Sequence, residues 1–169
     1  MCALANIAVL RAVEKTDFQC TKDFESAVSE VGETLSLSGV AVATLANGKT
    51  YLLSLGTTAN QSKQNPSAKA RLDTRKVAEA KARKAAAEFL NVEVSTDSRL
   101  SELRKTESTI TNEGVKKQMG KLIKVREEII TQKSQAVFAG SKTVATWLSD
   151  DGESFNAVIA SEITNRKSK

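Results

Sequence analysis

The chain has 169 residues, 40% hydrophobic and 27% charged, with a net charge of +5; this is the size and make-up of one ordinary globular domain. It has no histidine and only two cysteines, Cys2 and Cys20, which excludes His-based triads, His-containing zinc sites and a disulfide scaffold. Aromatic residues amount to 4%, so the core must be built mainly of Ala, Val, Leu and Ile.

In chain order, Ala5–Val13 is rich in Val, Ile and Ala and predicts a first strand. Phe24, Ala27, Val28 and Val31 recur at helical spacing and predict a short helix over 23–31, stopped by Gly32. Leu35–Leu45 and Lys49–Gly56 predict two strands. Asn47-Gly48 between them predicts a two-residue hairpin turn, and Tyr51, Leu53 and Leu55 share one face of the second strand. Thr57–Ser67 is polar and holds the single proline, so it reads as a loop. Asn65 as cap and Pro66 at the first helical position then predict a long helix to Leu90. At 100° per residue Ala78, Ala82, Ala85 and Phe89 form a narrow inner face, with Lys69, Lys76 and Arg83 opposite.

Asn91 reads as a helix end. Val92, Val94 and the polar stretch through Ile110 predict a half-exposed edge strand that includes Thr109. Gly114–Arg126 returns to helical period through Val115, Met119 and Leu122, although Ile123, Val125, Ile129, Thr131 and Gln135 also fit a period of two. Ala136–Ala139, Lys142–Leu148 and Phe155–Ile163 predict strands, the last two joined by a turn at Asp150-Asp151-Gly152. The tail from 165 to 169 is polar. The expected fold class is α+β: a mostly antiparallel sheet packed by one long alanine-rich helix and one or two shorter helices. Residues 1–48 form a strand-helix-strand segment of that fold, and 49–164 form the helix-on-sheet portion.

The charge excess is local. Residues 66–90 carry seven basic and three acidic groups, and residues 113–133 carry six and three. Lys69, Lys76 and Arg83, joined by Lys84, make a one-sided basic stripe. It reads either as the solvated side of an amphipathic helix or as a contact for a polyanion. Asp150, Asp151 and Glu153 offer oxygen ligands but lack EF-hand spacing, so an ordinary turn explains them. Cys20 has no histidine to activate it, and no Ser nucleophile motif or phosphate loop is present. Trp147 and Tyr51 lie on predicted strands and read as core residues or as anchors for a partner.

From about Lys49 to Ile163 the pattern resembles the lipoprotein-20 family of small bacterial envelope lipoproteins, and is similar to the N-terminal domain of flagellar assembly protein T. The resemblance rests on Leu55-Gly56 at a strand end and on the long helix with Arg71, Arg75, Ala78, Ala82, Arg83 and Ala86. Val92-Glu93-Val94-Ser95, the strand from Val144 to Trp147, the Asp-Gly turn and Phe155–Ile159 complete it. It implies a periplasmic or outer-membrane-associated assembly domain, with no enzymatic activity and no cofactor. No leader is recognised at the start; behind one, Cys2 would be the acylated cysteine of a lipoprotein, and otherwise it is an incidental thiol.

The leading expectation is therefore a non-enzymatic envelope protein that associates with itself or another protein through a sheet edge or the face around Trp147, Tyr51 and Thr109. The alternative is a basic module binding nucleic acid or an anionic surface through Lys69, Lys76, Arg83 and Lys84. No stretch is long and apolar enough to span a membrane, which leaves peripheral or lipid-anchored association. If no leader precedes the chain, the expected location is the cytoplasm.

Overall fold

The computed structural model describes residues 15–90, 96–132 and 139–163. The strand expected over Ala5–Val13, the caps and strand start at Asn91, Val92 and Val94, Cys2, Gln135, most of Ala136–Ala139 and the tail lie outside those residues.

The elements are β1 (Lys15–Cys20), a 3-10 turn at Lys22–Phe24, α1 (Glu25–Ser38), β2 (Val40–Thr44), β3 (Thr50–Ala59), α2 (Gln61–Gln64), α3 (Ala68–Leu90), α4 (Thr96–Thr109), α5 (Glu113–Gln132), β4 (Ala139–Ser149) and β5 (Ser154–Glu162). One five-stranded sheet runs in the order β1-β4-β5-β3-β2, and every neighbouring pair is antiparallel. The fold is α+β, as the sequence predicts. The antiparallel neighbours make β1 and β2 parallel at opposite edges, joined by α1. They likewise make β3 and β4 parallel with β5 between them, joined by α3, α4 and α5.

The two crossovers give the sheet two differently built cores. On one face Phe24, Val28, Val31 and Leu35 pack over Ala41, Tyr51, Leu53, Trp147, Val158 and Ala160. On the other, Val40, Val42 and Leu52 meet Ala86, Phe89, Leu103, Met119 and Leu122. Strand alternation assigns Tyr51 and Leu53 to the first face and Leu52 to the second. Burying a side chain such as Phe24 or Leu52 in this way stabilises the fold by about 1.5–3 kcal/mol.

The sequence reading is corrected at several boundaries. Residues 35–38 are helical because Val31 and Leu35 continue the apolar spacing begun at Phe24. Gly39 ends α1 at φ +74° with its N–H on the Leu35 carbonyl at 2.8 Å, the left-handed cap that glycine favours. Gly32, the expected stop, lies buried inside the helix. The β2–β3 hairpin is present, but its loop has three residues, Ala46-Asn47-Gly48. Gly48 alone takes positive φ, at +79°, and donates to the Leu45 carbonyl at 2.9 Å, which is the turn-plus-bulge form of a hairpin. β3 continues past Gly56 to Ala59, into the predicted loop.

α3 starts two residues beyond Pro66. Ser67 Oγ accepts from the Ala70 N–H at 3.1 Å, whereas Asn65 ends α2. The edge strand expected through Thr109 is instead α4. Leu100, Leu103 and Ile110 contribute to one core at helical spacing. The hydroxyls of Thr106, Ser108 and Thr109 donate to the carbonyls of Glu102, Lys105 and Thr106, so polar alternation mimicked a strand while the side chains served a helix. Asn112 Oδ1 caps α5, accepting from Gly114 at 3.0 Å and Val115 at 3.2 Å. α5 stays helical to Gln132, because Val115, Met119, Leu122, Ile123 and Arg126 bury one continuous helical face.

Candidate functional site

α3 lies over β3 and β5. It can lie low because the residues it turns to the sheet, Ala70, Thr74, Ala78, Ala82 and Ala86, are small and buried, and because β3 offers Gly56 beneath Ala78 and Ala82. The part of the same sheet face formed by β4 and β1 is thereby left beside the helix as the floor of a groove. Its larger lobe, about 400 Å3, is lined by Asp17, Gln19, Asn60, Ser62, Arg71, Leu72, Thr74, Arg75, Thr146, Leu148 and Phe155. A smaller lobe of about 260 Å3 is lined by Gln19, Cys20, Thr21, Arg75 and Thr143–Thr146. Gln19, Arg75 and Thr146 belong to both.

One wall is cationic. Arg71 and Arg75 project from the N-terminal half of α3. Arg75 Nε donates to Glu79 Oε1 at 2.9 Å, and the same oxygen accepts from Thr143 Oγ1 of β4 at 2.8 Å. Arg83 stands 4.0 Å from the other Glu79 oxygen. Burial alone would raise the Glu79 carboxyl; the hydrogen bonds from Arg75 and Thr143 and the charges of Arg75 and Arg83 outweigh it and hold Glu79 below the ordinary carboxylate range. Glu79 thus acts as an anchored anion that fixes Arg75 in direction, leaving the guanidinium's terminal nitrogens for other work.

The end of the groove is braced. Asn60 donates from Nδ2 to the Gly152 carbonyl at 2.9 Å and from its N–H to Glu153 at 2.7 Å. Thr74 Oγ1 accepts from the Gln61 N–H at 3.2 Å, and Lys63 bonds the Asp151 carbonyl and the Glu153 carboxylate. The short α2 is in this way tied both to α3 and to the β4–β5 turn. The opposite side is β1, which pairs only with β4 among the described residues. β1 is irregular: its register shifts between Thr16 and Gln19, and Asp17 there takes φ +55°. Such bulges at sheet edges re-aim side chains and discourage indiscriminate pairing.

The residues singled out from the sequence fall in three places. Trp147 is 5% exposed and Tyr51 9%; Trp147 packs against Phe18 at 6.1 Å and Tyr51 edge-on to Phe24 at 5.1 Å. Both are core residues, and neither is available as a surface anchor. Thr109, exposed in the last turn of α4, is remote in kind from the strand edge expected there. Lys69, Lys76, Arg83 and Lys84 are all exposed on α3; none of them lines the groove, and Arg83 reaches to within 4.0 Å of Glu79. Phe89 is buried on the opposite side and offers no base-stacking surface to that stripe.

Asp150, Asp151 and Glu153 form an ordinary turn. Asp151 Oδ1 accepts from Ser149 Oγ at 2.5 Å and the Glu153 N–H at 2.9 Å, and these bonds hold it below the usual carboxylate range. Among the described residues no group of three or more His, Cys, Asp or Glu is placed to hold a metal. Cys20 is half-buried at the smaller lobe, with Sγ 3.5 Å from the Thr21 carbonyl. The pairing of Arg71 and Arg75 on the groove wall escapes the sequence because both fall near the sheet-facing sector of α3, where cations are not expected. The signal for it was present: two arginines inside an otherwise alanine-lined sector.

Comparisons with protein-family models, with curated proteins and with solved structures give no match to this chain. Among the described residues no helix is long and apolar enough to cross a membrane.

Proposed function

We propose that this chain is a non-enzymatic assembly domain of the bacterial cell envelope, joining copies of itself through the β1 edge of its sheet. The observation that carries the reading is that among the described residues β1 is a sheet edge paired only with β4, and an edge strand is where a further strand can add. The resemblance to the lipoprotein-20 family supports the envelope setting. The edge replaces Thr109 and the Trp147 face as the expected contact.

β1 pairs regularly from Gln19 on, and the Thr21 N–H donates to the Val144 carbonyl; alternation then turns the Gln19 N–H to β4 and the Cys20 N–H outward, so Gln19→Pro and Cys20→Pro separate the two roles. One removes a bond to β4 and lowers thermal stability; the other removes an outward donor and lowers association alone. Sedimentation equilibrium is expected to show a concentration-dependent dimer that one of the two variants abolishes. A wild-type monomer at all accessible concentrations would refute self-association. Intact mass spectrometry of the native protein from envelope and cytoplasmic fractions tests the location; an acylated Cys2 in the envelope is the expected form.

A second reading is favoured by the exposure of Lys69, Lys76, Arg83 and Lys84 on one side of α3. It makes that side a polyanion contact, diluted by the pairing of Lys84 with Glu88 at 3.7 Å. It predicts affinity for heparin or duplex DNA that falls steeply with salt and is lost on reversing Lys69, Lys76 and Arg83.

A further inference from the structure

We propose that the groove between α3 and the β4–β1 floor binds a small amphipathic monocarboxylate, its charged end held by Arg71 and Arg75 and its apolar part by Leu72, Leu148 and Phe155. The larger lobe, at about 400 Å3, lies within the range of small-molecule sites, about 300–1,000 Å3. Its chemistry is divided: the two arginines sit on the α3 wall, and apolar side chains line the space beside them. Leu72 is 51% exposed, a large apolar side chain left at the groove for an apolar ligand body to cover.

Arg75 is positioned for an anion. Its Nε is committed to Glu79, and Glu79 is held in turn by Thr143. The terminal nitrogens of Arg75 and the whole guanidinium of Arg71 have no hydrogen-bond partner among the described residues. Two guanidinium groups on one wall, one of them already oriented, suit the planar, bidentate geometry of a carboxylate. Asp17 lines the same lobe from β1. Its negative charge directs an anionic head to the α3 wall and disfavours a dianion that would span the groove. The site does not depend on the outward edge of β1, so it is independent of the association proposed above.

The test is a titration of the 15N-labelled full chain with octanoate, followed by amide shifts. Saturable shifts confined to β1, to residues 60–62, 71–75 and 143–148 and to Phe155 are expected. Acetate, inorganic phosphate and octyl glucoside at the same concentrations should not reproduce them. Arg71→Gln should weaken octanoate binding about tenfold, the effect of losing one charge-assisted hydrogen bond. Arg75→Lys, which retains a cation for Glu79 but loses the fork, should weaken it as well. Equal shifts from octyl glucoside would reduce the groove to an apolar patch, and equal shifts from phosphate to a generic anion site. Either result overturns the proposal, as does an absence of shifts, or unchanged affinity in the Arg71→Gln/Arg75→Lys double variant. Sedimentation of these variants should match wild type, so failure here is distinguishable from failure of the β1 edge.

Discussion

Gly56 and Ala78 meet backbone to backbone: a Cβ on Gly56 would lie 1.9 Å from the Ala78 carbonyl oxygen and 2.5 Å from the Ala82 nitrogen. Neither atom can move without lifting α3 off the sheet. Gly56→Ala is therefore expected to cost about 3 kcal/mol or more, at the upper end of overpacking effects. Urea unfolding should show a lower midpoint at an unchanged slope. A wild-type midpoint would mean that α3 does not approach β3 this closely.

Glu79 supplies a pH-dependent contribution. Its carboxyl is held below its ordinary value, so the stabilisation is present above the unfolded-state value and is lost as pH falls through the folded-state value. Glu79→Gln should be less stable than wild type at neutral pH, with the difference closing on acidification below the folded-state value. Thermal melts of both proteins across that acidic range give the check. A difference independent of pH would show that Glu79 acts through packing rather than charge.

The single tryptophan reports on β1. Phe18 of β1 lies 6.1 Å from Trp147, and Trp147 is 5% exposed. Phe18→Ala should shift Trp147 emission to longer wavelength and cost about 1–2 kcal/mol, from the lost ring contact and area. Emission identical to wild type would place β1 away from the tryptophan.

Phe89 closes the second core. It is 1% exposed, and the Arg126 guanidinium lies over its ring at 5.5 Å. Phe89→Ala should cost about 3–5 kcal/mol. Phe89→Leu, which restores apolar volume but no π face for the cation, should recover part of that loss. The two denaturation midpoints relative to wild type measure the share carried by the ring.

How legible this was in the sequence depended on how much of the deciding interaction was local. The Asn47-Gly48 hairpin, the β4–β5 turn and the alanine face of α3 were readable, because turn chemistry and periodicity within a few residues determine them. Leu35–Ser38 and 96–109 were misassigned because Ser, Thr and Leu there satisfy a period of two as well as a helical one. Side-chain bonds to helix carbonyls and burial against other elements decided between them. The groove as a space was not legible; only its cationic wall left a mark, Arg71 and Arg75 within the alanine-lined sector of α3. The space exists because α3 rests on β3 and β5 and not on β4, a placement set by Gly56, some twenty residues earlier in the chain than the alanines that meet it.

The strand order has a consequence for how the protein is made. Among the described residues β4 and β5 are the last strands in chain order, yet they occupy the middle of the sheet, between β1 and β3. β1 must wait for β4 while roughly 120 residues emerge, an interval of about 6–24 s at ribosomal speeds of about 5–20 residues per second. The β2–β3 hairpin and α3 can form meanwhile; β1 and the inner edge of β3 cannot be closed. A nascent chain with two such unsatisfied edges stays incompletely closed until β4 and β5 have both emerged.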